Sequence, residues 1–185
     1  MLVMNYMHMN LREYLQRNNN KLTWNERIQI TYYIVLALYQ IHSENAIHRD
    51  LHSGNILYNQ INQLFNISDL GFCGPADKPL NSVYGNLPYI APEVIIGKGT
   101  TYASDIYSIG MLMWEISSGR TPFINHEHDY GLAMKIINGT RPKIVPAGTP
   151  LKYKELMEQC WDADPTKRPY IIIKWQKCKN KIIKV

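Results

Sequence analysis

The chain has 185 residues, of which 45% are hydrophobic and 19% charged, a composition that fits one globular domain and excludes both a disordered chain and two domains of ordinary size. Its formal net charge of +5 is confined to residues 171–185, which hold five lysines and no acid, so we expect a solvated basic tail and no nucleic-acid partner. Neither a membrane-spanning run nor a signal peptide is evident. Three widely spaced cysteines indicate free thiols and a cytoplasmic protein.

The N-terminal part predicts one strand and two helices. Residues 2–4 are apolar and read as an extended segment. Apolar side chains at helical spacing over residues 11–15 predict a short helix that ends at an Asn-rich turn. Thr23 to Glu26 has the form of a capping box, which opens a second helix that continues to about His42.

The remaining elements are mainly helical. Apolar runs at 56–58 and 64–67 flank a turn and predict a small hairpin, and the segment 71–85 is rich in turn-forming residues and reads as a loop. The helix predicted over 103–117 is apolar nearly all round, so it should be buried at the centre of the domain. Further helices are predicted over 130–137, over 151–161 and from Pro165.

Two short motifs carry the chemistry. The run His48-Arg49-Asp50-Leu51-His52-Ser53-Gly54-Asn55 is followed, after the hairpin, by Asp69-Leu70-Gly71. Phosphoryl transfer needs a carboxylate that orients the attacking hydroxyl and metal ions that neutralise phosphate charge, and Mg²⁺ prefers oxygen ligands. Asp50, Asn55 and Asp69 supply such groups. Singly they would be ordinary loop residues, but in this order they predict a phosphotransfer site.

The first run fits the catalytic-loop pattern H-R-D-L-x-x-x-N of protein kinases. Together with Asp69-Leu70-Gly71 and Ala91-Pro92-Glu93, which resemble the DFG and APE motifs, it makes the chain resemble that family. The resemblance implies a mainly α fold, a kinase-like C-lobe that is helical with a small β-hairpin region, with the N-lobe absent. It assigns a partial kinase domain, hinge and C-lobe only, to residues 1–170 and a basic helix or tail to 171–185.

The resemblance also implies the roles of the site residues. Asp50 is the catalytic residue that orients the attacking hydroxyl of the substrate. Asn55 and Asp69 bind Mg²⁺ and, with it, ATP. His52 stands where serine/threonine kinases usually place a lysine that contacts the transferring phosphate. A protonated imidazole replaces part of that charge and a neutral one does not, so His52 is either a weaker catalytic residue or a tolerated variant.

Other matched residues are expected to have structural roles: His48, Arg49, Glu93, Asp105 and Arg168. By the resemblance, Glu93 pairs with Arg168 and Asp105 holds the backbone of the catalytic loop. Between Asp69 and Glu93, Ser82 and Tyr84 are candidate phosphorylation sites that would pair with Arg49 once modified. The alternative is that they are ordinary loop residues.

The acceptor specificity is predicted from the segment before Glu93. Residues 85–90, Gly-Asn-Leu-Pro-Tyr-Ile, resemble the form found in serine/threonine and tyrosine-kinase-like kinases. Tyrosine kinases usually have Ala and Arg between the catalytic Asp and Asn, where this chain has Leu51 to Gly54. We therefore expect Ser/Thr specificity, although Asn86 replaces the threonine that such kinases often have.

Residues 1–6 are similar to the strand and hinge that join the two kinase lobes, which makes Met4 the gatekeeper and turns the backbone of Asn5 to Met7 toward adenine. No G-x-G-x-x-G loop or V-A-I-K strand occurs in the sequence. We expect either a serine/threonine protein kinase represented by its C-lobe, inactive alone, or a catalytically dead lobe that serves as a binding or scaffold module. Expected partners are a protein substrate and a partner at the exposed upper face of the lobe.

Overall fold

Six α-helices dominate the part of the chain that the computed structural model describes, residues 7–75, 86–143 and 148–170. They are α1 Leu11–Asn18, α2 Trp24–Ser43, α3 Pro92–Ile95, α4 Tyr102–Ser118, α5 Tyr130–Ile137 and α6 Leu151–Cys160. The mainly helical character predicted from the sequence is therefore confirmed. The predicted helices over 103–117, 130–137 and 151–161 agree with α4, α5 and α6 to within one residue at each end.

The described strands are short and form two antiparallel sheets. They are β1 Met9–Asn10, β2 Ala46–Ile47, β3 Ile56–Asn59, β4 Leu64–Ile67 and β5 Gly74–Pro75. The first sheet has the order β1-β3-β4, and β2 pairs with β5. The β3–β4 hairpin is the predicted one, with Ile56 opposite Ile67. β5 falls in the segment predicted as a loop, because a two-residue strand has no alternating pattern that a sequence could reveal.

Side-chain caps determine where the two long helices begin. Thr23 Oγ1 accepts the N–H of Glu26 at 3.3 Å and Glu26 Oε2 accepts the N–H of Thr23 at 2.7 Å, which is the predicted capping box of α2. A similar pair, Thr101 and Ser104, opens α4. α4 ends at Gly119, whose φ of 68° lies in the left-handed region that favours glycine.

α4 lies at the centre of the core, as its apolar sequence predicts. Every residue from Ser104 to Ser117 is buried, and α4 packs against both α2 and α6. Gly110 permits the close approach of α6, because a Cβ at this position would lie 3.0 Å from the backbone nitrogen of Trp161. The buried helix in turn fixes the loops that join its ends.

The helix predicted from Pro165 is not found in the described residues. The chain forms one 3-10 turn, Pro165–Lys167, and Arg168 then adopts an extended conformation with φ −68° and ψ 138°. The physical reason is Pro169, because a proline disfavours helical backbone at the residue that precedes it.

Several predictions lie outside the described residues and stay predictions. They concern the strand at residues 2–4, Met4, Asn5, Ser82, Tyr84 and the helix or tail over 171–185. Within the described ranges, no helix combines the length and apolar character needed to span a bilayer.

Candidate active site

The loop of residues 48–55 is anchored from below by Asp105, in the first turn of α4. One carboxylate oxygen of Asp105 accepts the N–H of His48 at 2.9 Å, and the other accepts the N–H of Arg49 at 3.0 Å. His42, in the last turn of α2, places its Nε2 2.9 Å from the same carboxylate. Asp105 is 1% exposed, so three hydrogen-bonding groups hold it where water cannot compete. This contact of His42 was not predicted from the sequence.

His48 is fully buried and connects the 48–55 loop to the segment before Asp69. Its Nε2 lies 3.0 Å from the carbonyl oxygen of Ser68, and its Nδ1 accepts the N–H of Asp50 at 3.3 Å. Both ring nitrogens are therefore engaged with the backbone. This geometry suits a residue that positions Asp50 rather than one that exchanges protons with a substrate.

Asn55 and His52 contact Asp50 within the loop of residues 48–55 and fix its carboxylate in position. Asn55 donates through Nδ2 to the carbonyl oxygen of Asp50 at 2.9 Å and to its Oδ2 at 3.3 Å. The His52 Nε2 lies 3.6 Å from the same Oδ2. The pKa of Asp50 is lowered, chiefly by contact with the His52 imidazole. His48 and Asn55 lower it further by smaller effects, whereas burial acts in the opposite direction. Asp50 is therefore an ionised acceptor at neutral pH.

His52 is held by a backbone contact of its own. Its Nδ1 accepts the N–H of Gly54 at 3.0 Å and so caps the 3-10 turn Ser53–Asn55. A neutral ring in this arrangement carries its proton on Nε2, the nitrogen that is directed at Asp50. A Cβ at position 54 would lie 2.9 Å from the His52 Cε1, which explains the glycine there. The structure thus pairs His52 with Asp50.

The segment of Asp69 is fastened to the same loop. The N–H and the hydroxyl of Ser68 both donate to the carbonyl oxygen of Asn55, at 2.8 and 3.0 Å. The hairpin therefore brings Asp69 back beside Asn55, as the sequence predicts. Asp69 has a φ of 58° and Arg49 a φ of 74°, both in the left-handed region. Non-glycine residues in this region store strain and are frequent at functional sites.

The oxygens near Asn55 fit a magnesium ion. Because Asn55 donates through Nδ2, its Oδ1 remains an acceptor, and the Asp69 side chain is exposed. These are hard oxygen ligands. In the described part of the chain, no group of three or more His, Cys, Asp or Glu side chains could hold a metal alone. Mg²⁺ requires no such cage, since it is commonly bound by one or two side chains with water and substrate phosphates.

The guanidinium of Arg49 lies beside the segment of Phe72 and Gly74. It donates to the carbonyl oxygen of Phe72 at 3.4 Å, and a Cβ at Gly74 would lie 2.8 Å from Arg49 Nη1. Arg49 is thus placed under the start of the segment that continues toward residues 76–85. Met7, the one predicted hinge residue within the described ranges, is half-buried just before β1.

A buried ion pair joins the end of the candidate site to the C-terminal part of the domain. Arg168 Nη1 and Nη2 donate to the two carboxylate oxygens of Glu93 at 2.5 and 2.7 Å. Arg168 also donates to the carbonyl oxygens of Asp162 and Ala103, both at 2.9 Å. Two parallel charge-assisted bonds fix the start of α3 in position.

A second buried network, which the sequence analysis missed, lies behind His52. The Tyr89 hydroxyl donates to Glu115 Oε2 at 2.6 Å and lies 3.3 Å from the Ser53 hydroxyl, which accepts from Arg12 Nε at 3.2 Å. Burial raises the pKa of Glu115, against the lowering effects of Tyr89, Ser53 and Arg12. The available signal was Glu115, an acidic residue that follows the apolar run Met111 to Trp114 in α4.

Most of the chain is similar to a known protein family and to individual known proteins. Residues 1–174 match the family model described as protein tyrosine and serine/threonine kinase. The chain is 33% identical over 178 residues to the dual serine/threonine and tyrosine protein kinase of Mus musculus, covering 92% of the chain and 18% of that protein. It is 35% identical over 176 residues to the cyclic GMP-binding protein C of Dictyostelium discoideum, covering 84% of the chain and 6% of that protein. The chain spans less than a fifth of these relatives.

Proposed function

Since the chain belongs to the protein tyrosine and serine/threonine kinase family, we propose that it transfers the γ-phosphoryl group of ATP to serine and threonine hydroxyls of proteins. The observation that carries the proposal is the Asp50 carboxylate, which is ionised and held by Asn55. A carboxylate so placed orients the attacking hydroxyl and takes its proton while the hydroxyl oxygen bonds to the γ-phosphorus, the bond from that phosphorus to the bridging oxygen breaks, and ADP leaves.

The other residues of the site divide the remaining tasks. Asn55 and Asp69 would hold Mg²⁺, which supplies neutralisation of the phosphate charge when bound. His48 keeps Asp50 in place from the buried side of the loop, and Asp105 fixes the backbone of His48 and Arg49, which directly precede Asp50. Met4, Asn5 and Met7 are proposed to face the adenine of ATP.

Ser/Thr specificity rests on two supports. The first is the sequence of residues 85–90, which resembles serine/threonine and tyrosine-kinase-like kinases. The second is the mouse relative, a protein named for both serine/threonine and tyrosine kinase activity. A cytoplasmic location is proposed from the three widely spaced cysteines of the sequence, a pattern typical of proteins in a reducing compartment.

The orientation of His52 favours a second candidate function, a catalytically dead kinase domain that acts as a binding module. The Nδ1 of His52 is engaged with the N–H of Gly54, and its Nε2 faces Asp50. A side chain held in this way contacts the base rather than extending toward a phosphate. If this contact cannot be exchanged for one to the substrate, the site lacks the cation that lysine usually supplies.

The acceptor can be tested with three peptides that differ only in whether Ser, Thr or Tyr stands at the centre. The purified full-length protein is incubated with radiolabelled ATP and Mg²⁺, and Asp50→Asn serves as the matched control. We expect label on the Ser and Thr peptides and none with Asp50→Asn. Label on the Tyr peptide alone contradicts the specificity, and labelling that survives Asp50→Asn contradicts the catalytic role.

A further inference from the structure

A large cavity lies between the C-terminal end of α4, the loop that follows it and α5. Its volume is about 810 Å³, and it is lined by Trp114, Ser118, residues 120–121, residues 123–126, Lys135 and residues 140–143. No residue of the candidate active site lines it. Cavities of this size, ~300–1,000 Å³, accept ligands or the anchoring side chains of partner proteins. The cavity therefore requires an explanation of its own.

The interior of the cavity is apolar. Trp114 and Phe123 are 6% and 7% exposed, whereas Ile124, the next residue, is 62% exposed. Phe123 has a φ of 55°, a conformation that bulky side chains rarely adopt, and its carbonyl oxygen accepts the N–H of His126 at 2.8 Å. The turn thus holds Ile124 out at the cavity at the expense of backbone strain. An exposed Ile beside an apolar cavity is a typical anchor for a partner.

The rim of the cavity is positively charged. Arg120, Lys135 and Lys143 are exposed, and within the described ranges the charged group of none of them forms an ion pair. Arg141 adds a fixed charge, because it is hydrogen-bonded to the carbonyl oxygens of residues 136, 140 and 161. Among the residues that the structure describes, no Asp or Glu lines the cavity.

The nearest acidic residues along the chain lie outside the lining of the cavity. Glu127 and Asp129 follow the loop, but neither lines the cavity. Asp129 instead caps α5 by accepting the N–H of Leu132 at 2.9 Å. The surface therefore combines an apolar interior with an unbalanced positive rim, the complement of an acidic segment that carries an apolar side chain.

We propose that this basic and apolar cavity binds an acidic peptide segment of a protein partner, which inserts one large apolar side chain between Phe123 and Ile124. A second copy of this chain is a poor occupant, because no five consecutive residues of the sequence hold more than two acids. Nucleic acid and anionic membranes match the charge alone, whereas an apolar interior fits a protein side chain. The site is separate from Asp50, so it serves recognition rather than catalysis.

The test is direct binding of a fluorescein-labelled peptide of Glu and Asp residues around one Leu, measured by fluorescence anisotropy with the full chain. We expect Lys135→Glu to weaken binding about fivefold, as for loss of an exposed charge contact. Ile124→Ser should weaken it about tenfold through lost apolar burial. Lys21→Glu, at an exposed lysine outside the cavity, and Asp50→Asn should bind like the wild type.

Comparison probes make the result decisive. The same peptide with Ser in place of Leu should bind about tenfold more weakly, because the apolar anchor is gone. Circular dichroism spectra of the variants identify any loss of fold. Ile124→Ser changes the apolar part of the cavity, whereas Lys135→Glu changes its charged rim. Equal binding of the peptide by wild type and both variants overturns the proposal. So does a single-stranded RNA or an anionic vesicle that binds more tightly than the peptide and responds to Lys135→Glu alone.

Discussion

Removal of the Arg168 guanidinium should destabilise the domain far more than removal of the charge of a neighbouring residue. Arg168→Met deletes both bonds to Glu93 and the bonds to the carbonyl oxygens of Asp162 and Ala103. It leaves the Glu93 carboxylate buried, since that side chain is only 9% exposed. Breaking a buried pair from one side costs about 3–5 kcal/mol, and the extra backbone bonds place this variant at about 4 kcal/mol or above.

The partner substitution should cost less. Glu93→Gln keeps an amide oxygen that accepts one bond from Arg168, and the guanidinium retains its carbonyl acceptors. Its stacking on the Tyr107 ring, 5.2 Å away, is also kept. We expect a loss of about 2 kcal/mol, the magnitude of a hydrogen bond to a charged group. The double variant should lose about 1–3 kcal/mol less than the sum of the two single variants, because both remove the same interaction.

The free energies are measured by urea unfolding, followed by far-UV circular dichroism. Lys167→Met is the matched control, because Lys167 is exposed and its contact with Asp164 spans 3.9 Å in water. It should leave the unfolding midpoint unchanged. A loss below about 1 kcal/mol for Arg168→Met, or strict additivity in the double variant, would refute the reasoning that this pair is a coupled buried unit.

Three further outcomes are expected. His52→Asn should move the acid limb of the pH–rate profile to higher pH, because contact with the His52 ring is the largest of the effects that lower the pKa of Asp50. Burial raises the pKa of the Glu115 carboxyl in the folded state, so the free energy of unfolding should fall as pH rises from about 4.5 through the folded-state pKa. Urea titrations at a series of pH values measure this fall, and Glu115→Gln should abolish it. Gly110→Val should lower the free energy of unfolding by about 2 kcal/mol, because its Cβ would press on the backbone of Trp161.

Local signals in the sequence were sufficient for much of the fold. The Thr23 capping box, the apolar sequence of α4 and the two runs of the β3–β4 hairpin each depend on residues close in sequence, and the structure contains all three. The ordered motifs also indicated that Asp69 returns to Asn55. A hairpin is a local element, so its effect on the two flanking segments could be anticipated.

Contacts between distant residues were harder to predict. His42 and Asp105 are 63 positions apart, and nothing near His42 distinguishes it from other histidines in a helix. The hydrogen bond between Ser53 and Tyr89 depends on how the 48–55 loop packs against the segment that contains Tyr89. The same holds for β5, whose pairing with β2 is visible only once the chain has folded. In each case tertiary packing, not local preference, selects the partner.

The most direct test of the account is a comparison of turnover and nucleotide affinity in wild type and Asp50→Asn. Asp50 is proposed to contact the acceptor hydroxyl, whereas Asn55 and Asp69 are proposed to bind the metal and, with it, the nucleotide. Asp50→Asn should therefore reduce kcat for phosphate transfer to a Ser peptide by about 100-fold or more, while the Kd for ATP with Mg²⁺ is unchanged. Equal kcat values, or a loss of activity explained wholly by weaker nucleotide binding, would contradict it.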